Sequence, residues 1–226
     1  MEDTNKQVLT CPVCKCEQET ELYPIVHATG DEDIKNKVMD GTLLQFKCNK
    51  CGHKTILKYD MLYEDMDRNL MIQLCNKDAV EQHDELMHKA KESFEGSLSA
   101  SEGKPTHVTM RIVSEPNDLM EKVRLFESEL DDRIVEMVKY LTLEHVVRDY
   151  PEYAGGKMLF ASVEDHNELV MVKDGLQPMA SSFPMKAYLM IESELMPKIK
   201  GETNDEFVID QEFAKKYLLK LNLLKN

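Results

Sequence analysis

The sequence has no apolar run near the roughly 20 residues a membrane-spanning helix needs, so it does not read as an integral membrane protein. The start, Met1-Glu-Asp-Thr-Asn-Lys-Gln7, is polar and acidic, with neither a basic nor an apolar leader segment. The expectation from these absences is a cytoplasmic, reducing environment. Cysteine is missing after Cys75, and a reducing compartment favours metal ligands or free thiols over a disulfide framework. Basic residues are in deficit, 28 against 42 acidic ones, for a formal net charge of −14 divided equally about residue 98. That balance argues against a phosphate-binding surface, which needs clustered Lys and Arg. There is no Gly-rich phosphate loop, no Gly-x-Ser-x-Gly and no His-Glu-x-x-His, so no catalytic site can be named.

What the chain does have is a concentration of thiols near its start. Cys11-Pro12-Val13-Cys14 and Cys48-Asn49-Lys50-Cys51 are matching Cys-x-x-Cys units. Two intervening residues in a tight turn let both sulfurs face one ion about 2.3 Å away, while the turn's N–H groups donate to the thiolates. Gly52 suits a positive φ after the second unit, and Pro12 fixes φ inside the first. Cys11, Cys14, Cys48 and Cys51 are therefore the candidate metal ligands, and a closed shell of four thiolates suits structural Zn²⁺. A redox dithiol would open a helix, and neither unit precedes a helical pattern.

Cys16 extends the first unit to Cys-x-x-Cys-x-Cys and could replace Cys14. His53 could replace a cysteine of the second. The simpler assignment leaves both beside the site, with Cys75 a small buried apolar residue. His83 and His88, five apart in a helical pattern, do not share a face. The adjacent acids Glu64-Asp65 and Asp131-Asp132 point different ways on regular structure and read as surface.

The 33 residues between Cys14 and Cys48 exceed the separation of small zinc modules. The extra length fits a short helix: Asp31 as cap, acids in the first turn, Ile34 and Val38 on one face, Gly41 as the stop. This predicts an α+β chain: an N-terminal zinc-ribbon-like module with an inserted helix, then a mixed α+β C-terminal part. The expected domains are 1–95 and 106–226, joined by a polar linker over 96–105. Strands are expected at Thr55–Tyr59, Asn69–Leu74, Thr106–Val113, Lys157–Val163, Glu168–Val172 and Phe207–Ile209. Helices are expected over Asp78–Phe94, from an Asn117 cap to Phe126, over Glu129–Arg148 with His145 inward, and after an Asp210 cap to Leu221. The stretch Met185–Met196 fits strand or helix.

The order of motifs resembles a known family. Cys11-Pro12-Val13-Cys14 comes first, followed by Lys37-Val-Met-Asp-Gly41 and Leu44-Gln-Phe46-Lys-Cys48-Asn-Lys-Cys51-Gly52. Leu57-Lys-Tyr-Asp-Met-Leu62-Tyr63-Glu-Asp65-Met66 and Leu70-Met71-Ile72 complete the series. It is similar to the CpXC domain of bacteria and archaea over roughly residues 8 to 95. Arg111-Ile-Val113, Asn117–Val123 and Leu130-Asp-Asp-Arg133 to Glu136 resemble what often follows that domain. Asn49 stands where the family has Pro, and Glu64 where a His is expected. The resemblance implies a zinc-binding module and carries no reaction with it.

Zinc ribbons often bind nucleic acid, but Lys15, Lys35, Lys37, Lys47 and Lys50 face Glu17, Glu19, Glu21, Asp31, Glu32, Asp33 and Asp40. The run Lys47, Lys50, Lys54, Lys58 reads as a solvated strand face. The expected function is therefore a structural zinc protein acting through an unidentified protein partner, of unspecified oligomeric state, leaning away from catalysis. Nucleic-acid binding, or an enzyme with an unidentified site, is the alternative.

Overall fold

The structure, a computed structural model, describes residues 4–102, 107–163 and 166–224, with the backbone alone for 92–102. The fold class is α+β. No helix among the described residues is long and apolar enough to cross a membrane. The chain forms two compact units, Met1–Val123 and Arg124–Asn226.

The first unit opens with two antiparallel hairpins. One pairs β1 (Asn5–Thr10) with β2 (Glu17–Leu22). The chain then enters β3 (Ile25–His27) and α1 (Glu32–Met39), and a second hairpin pairs β4 (Gln45–Lys47) with β5 (Lys54–Ile56). Next come β6 (Met61–Asp65), β7 (Leu70–Leu74), α2 (Val80–Glu102) and β8 (Thr109–Val113). These strands form a mixed sheet in the order β3-β6-β7-β8, parallel at both outer pairings and antiparallel between β6 and β7. Each parallel pairing needs a crossover. α2 supplies the one from β7 to β8. The one from β3 to β6 contains both α1 and the second hairpin.

The inserted helix forms as its sequence dictates. Asp31 accepts from the Ile34 N–H at 3.0 Å, Ile34 and Val38 are buried, and Gly41 stops the helix at φ +77°. A Cβ at Gly41 would lie 2.7 Å from Met120 Cε, the movable end of a flexible side chain, so it is the left-handed backbone that demands glycine there.

β6 and β7 alternate buried and half-buried positions, the period-2 pattern of a sheet with one face in the core. Met61, Tyr63 and Asp65 point inward on β6. Asp65 therefore corrects the surface expectation: it is fully buried, and its Oδ2 lies 3.0 Å from Nζ of Lys35, which is also buried. Lys35 Nζ reaches Glu32 Oε1 at 3.3 Å as well. Asp65 Oδ1 accepts from the Asp67 N–H, holding the turn into β7. One buried ion pair thus ties the inserted helix to the sheet.

The expected linker over 96–105 differs from what is observed. Residues 96–102 continue α2, and 103–106 lie outside the described residues. Glycine and serine here do not break the helix, because a crossover between parallel strands has to span the sheet. β8, on the far side of the expected linker, pairs with β7 on the near side, so the boundary of the first unit falls at Val123.

The second unit begins within α3 (Pro116–Glu127). That helix starts one residue before Asn117, which is therefore not its cap. α4 (Asp132–Asp149) starts at an Asp131 cap, and Asp132 is buried, another departure from a surface role. His145 is exposed rather than inward. β9 (Lys157–Val163), β10 (His166–Val172) and β11 (Met179–Ser182) form an antiparallel sheet in the order β11-β10-β9. Residues 164 and 165, between β9 and β10, lie outside the described residues. The ambiguous stretch is helical throughout: α5 (Met185–Met190), a π-helical segment (Ile191–Leu195) and α6 (Met196–Thr203) run on unbroken. Phe207 and Ile209 are buried in a stretch that is not a strand, and α7 (Gln211–Lys220) begins at the Asp210 cap as expected. Phe160 and Phe183 meet edge to face at 5.6 Å, and the Tyr188 hydroxyl accepts from the Asp131 N–H at 2.9 Å.

Asp65→Ala should destabilise the protein by about 3–5 kcal/mol in urea unfolding, because it removes the buried counter-charge of a buried ammonium. The double change Lys35→Met, Asp65→Leu should recover most of that loss. A cost under about 1 kcal/mol for Asp65→Ala would place the pair in the energetic class of surface ion pairs.

Candidate metal centre

Each Cys-x-x-Cys unit occupies the tip of a hairpin, and the two tips have the same backbone. In the first, the Cys11 N–H donates to Cys16 O at 2.9 Å and the Lys15 N–H to Cys11 O at 3.0 Å. In the second, the Cys48 N–H donates to His53 O at 2.8 Å and the Gly52 N–H to Cys48 O at 2.9 Å. Lys15 and Gly52 are equivalent, and both take positive φ, +59° and +74°. Cys16 and His53 are equivalent too, at the residue that closes each knuckle.

This repetition brings four sulfurs together. The Sγ atoms of Cys11, Cys14, Cys48 and Cys51 all lie within 4.8 Å of one another, and among the described residues no other His, Cys, Asp or Glu group converges this way. Cys11 to Cys51 is 3.7 Å and Cys14 to Cys48 is 3.5 Å. A tetrahedral ion with 2.3 Å bonds to sulfur has ligand–ligand edges of about 3.8 Å, so the thiols stand close to the spacing that such an ion requires. Cys11 and Cys48 are buried around Phe46, with Leu9 and Leu57 packed beside them, while Cys51 is exposed. The donor set could hold a metal ion.

The electrostatics of the tetrad favour a cation. The Cys51 N–H, helped by the Lys50 N–H, holds Cys48 down to about 6 despite burial. The Cys14 N–H, followed by that of Val13, likewise lowers Cys11. The second thiol of each knuckle goes the other way. The Cys16 N–H pulls Cys14 down, but burial and the facing thiols of Cys48, Cys51 and Cys11 outweigh it and push Cys14 up to about 12. Cys51 is raised for similar reasons, against the pull of the His53 N–H. Four like charges cannot crowd into this volume unaided, and a divalent ion removes the conflict.

Cys16 and His53 contribute main-chain N–H groups toward Cys14 and Cys51. Cys16 Sγ lies outside the tetrad and donates to Glu17 O at 3.5 Å. Cys75 is buried at the end of β7, as expected of a small apolar residue.

The sequence matches the family described as CpXC protein over residues 9–139. The chain belongs to the CpXC family. The matched stretch runs through the four cysteines, the buried Tyr63 and Asp65, and on across residues 96–105 into α4. No curated protein and no solved structure matches the chain. Tyr63 and Asp65, within a motif that could have suggested chemistry, are core residues here.

One contributor to the CpXC centre was not visible in the sequence. No strand ladder joins the two hairpins, yet Gln18 of β2 bridges them. Its Oε1 accepts from the Asn49 N–H at 2.8 Å and its Nε2 donates to Lys47 O at 3.0 Å. This one amide grips the second knuckle on both sides of Cys48. In the sequence Gln18 is an ordinary polar residue outside every expected element.

Gln18→Ala should weaken binding of a Co²⁺ probe roughly 10- to 100-fold, followed by the thiolate charge-transfer band, with Gln18→Glu intermediate because it keeps only the acceptor. Unchanged affinity in the Ala variant would remove Gln18 from the site. At pH 7.5, with Cys14 and Cys51 protonated, calorimetry in buffers of different ionisation enthalpy should show about two to three protons released per ion. Affinity should fall as pH drops toward 6 and Cys48 is protonated. Buffer-independent heats would contradict the titration order.

Proposed function

We propose that the four thiols hold structural Zn²⁺ and that the ribbon they close is a protein-interaction or regulatory module. The convergence of four sulfurs in two matched knuckles carries this reading. Zinc accepts a tetrahedral thiolate shell with no geometric demand of its own, and a reducing cytoplasm keeps such thiols available. Four protein ligands leave no position for water or substrate, so the ion's work is to hold two small hairpins together rather than to activate a nucleophile. The ribbon's own apolar cluster is small, centred on Phe46 with the two buried cysteines. An ion that bonds to both halves supplies what such a cluster lacks.

The alternative, nucleic-acid binding, is less well supported. β2 presents Glu17, Glu19 and Glu21 to solvent on the same hairpin that carries the first knuckle, and the chain stands at −14.

Cys48→Ser should abolish stoichiometric zinc, measured by elemental analysis, and lower the melting temperature. Full metal content with an unchanged melting temperature would refute the four-cysteine assignment. Affinity capture from the native cell should retain a protein partner with wild-type chain and lose it with Cys48→Ser. A partner retained equally by both would separate the ribbon from the interaction.

A further inference from the structure

Exposed lysines without a carboxylate partner occur at several places in the first unit, Lys37, Lys77 and Lys89 among them, and four of them gather around the two knuckles. Lys6 pairs with Glu19, Lys35 with Asp65 and Lys58 with Glu115. Lys15, Lys47, Lys50 and Lys54 are all exposed, and none has a carboxylate partner among the described residues, in a chain with 42 acids. Lys47 and Lys54 sit directly opposite each other on β4 and β5, an arrangement of like charges that disfavours the hairpin. Ile56 lies on the same outer face, 39% exposed, while Phe46 points inward to the thiols. At the knuckle ends, Val13 is 63% exposed, in the position equivalent to Lys50. A bound dianionic metal–thiolate centre would offset only two of the four positive charges. A local rule broken without internal compensation is the signature of a functional surface.

We propose that Val13, Lys15, Lys47, Lys50, Lys54 and Ile56 form a docking strip for an acidic protein segment carrying aliphatic side chains between its carboxylates. This inference rests on the reading of the ribbon as a protein-interaction module and names the chemistry of its partner. The lysines supply the complementary charge, and the two exposed branched side chains supply apolar contact. The Lys58–Glu115 pair, 2.8 Å between Nζ and Oε1, is the same contact made within the chain. The strip lacks what a nucleic-acid site uses: it has no arginine fork for phosphate and no exposed aromatic for base stacking. A polyanion would also meet the repulsion of the −14 chain, which a short segment of alternating character meets far less.

The test uses the zinc-loaded full chain and a fluorescein-labelled peptide of alternating Glu and Val, with a Lys–Val peptide and a single-stranded oligonucleotide for comparison. The Glu–Val peptide should bind saturably and the Lys–Val peptide should not. Lys47→Glu with Lys54→Glu should weaken binding at least about tenfold, as should a rise in salt that shortens the screening length. Lys47→Gln with Lys54→Gln, which avoids new charges, should show a smaller loss in the same direction. Zinc content should stay at the wild-type value in both variants, and the melting temperature should not fall in either. Equal affinity in the variants, or tighter binding of the oligonucleotide, would overturn the proposal. So would self-association that disappears in the same variants, since that would give the strip to a second copy of the chain. Failure here with zinc intact leaves the structural-metal reading standing, because that reading is decided by Cys48→Ser.

Discussion

Four sulfur atoms within 4.8 Å of one another set the terms for the first half of this protein. Thiols accept that crowding only if their charges are divided or neutralised. The N–H groups of each turn favour a thiolate at Cys11 and Cys48, and this leaves Cys14 and Cys51 protonated until a cation arrives. The hairpins have no shared ladder to hold them in place. Gln18 and the packing around Phe46 hold the halves near the spacing that a tetrahedral ion would require. The same demand accounts for the left-handed Lys15, a side chain in a conformation that its counterpart Gly52 adopts freely.

The ribbon in turn depends on a second anchor. The chain between β3 and β6 carries α1 and the second knuckle, so any slack there would be passed to the cysteine tetrad. Two contacts remove the slack: the Lys35–Asp65 pair fixes α1 to the end of β6, and Met120 closes over Gly41 where α1 stops. A buried ion pair is weak evidence of net stability, since desolvation offsets much of the attraction. What it enforces is registration, because Lys35 meets the buried carboxylate of Asp65 in only one placement of the helix.

Much of the centre was legible in the sequence because cysteine spacing is a local property. Cys11, Cys14, Cys48 and Cys51 were named from their two-residue gaps, and Asp31, Gly41 and Asp210 from capping chemistry within one helical turn. What the sequence concealed was long-range. Gln18 looks like any polar strand residue until Asn49 folds against it, and Asp65 looks exposed until Lys35 arrives from another element. The Gly-Ser stretch at 96–102 has the composition of a linker, but it lies in α2, where the crossover from β7 to β8 overrides weak helix propensity. Phe207 and Ile209 show the converse: an apolar run is buried without taking up strand structure.

The placement of the second knuckle inside the β3–β6 crossover has a kinetic consequence. Parallel pairing of β3 with β6 joins segments more than 30 residues apart, and closing such a loop is an entropic barrier met before the sheet gives any return. A bond through an ion from Cys14 to Cys48 would give β3 and β6 a shorter connection, from Cys14 to Ile25 and from Cys48 to Leu62, so that they search for each other within a smaller volume. An ion placed for structure would then also act as an accelerator of folding, with the early, local knuckles gathering the late, distant strands.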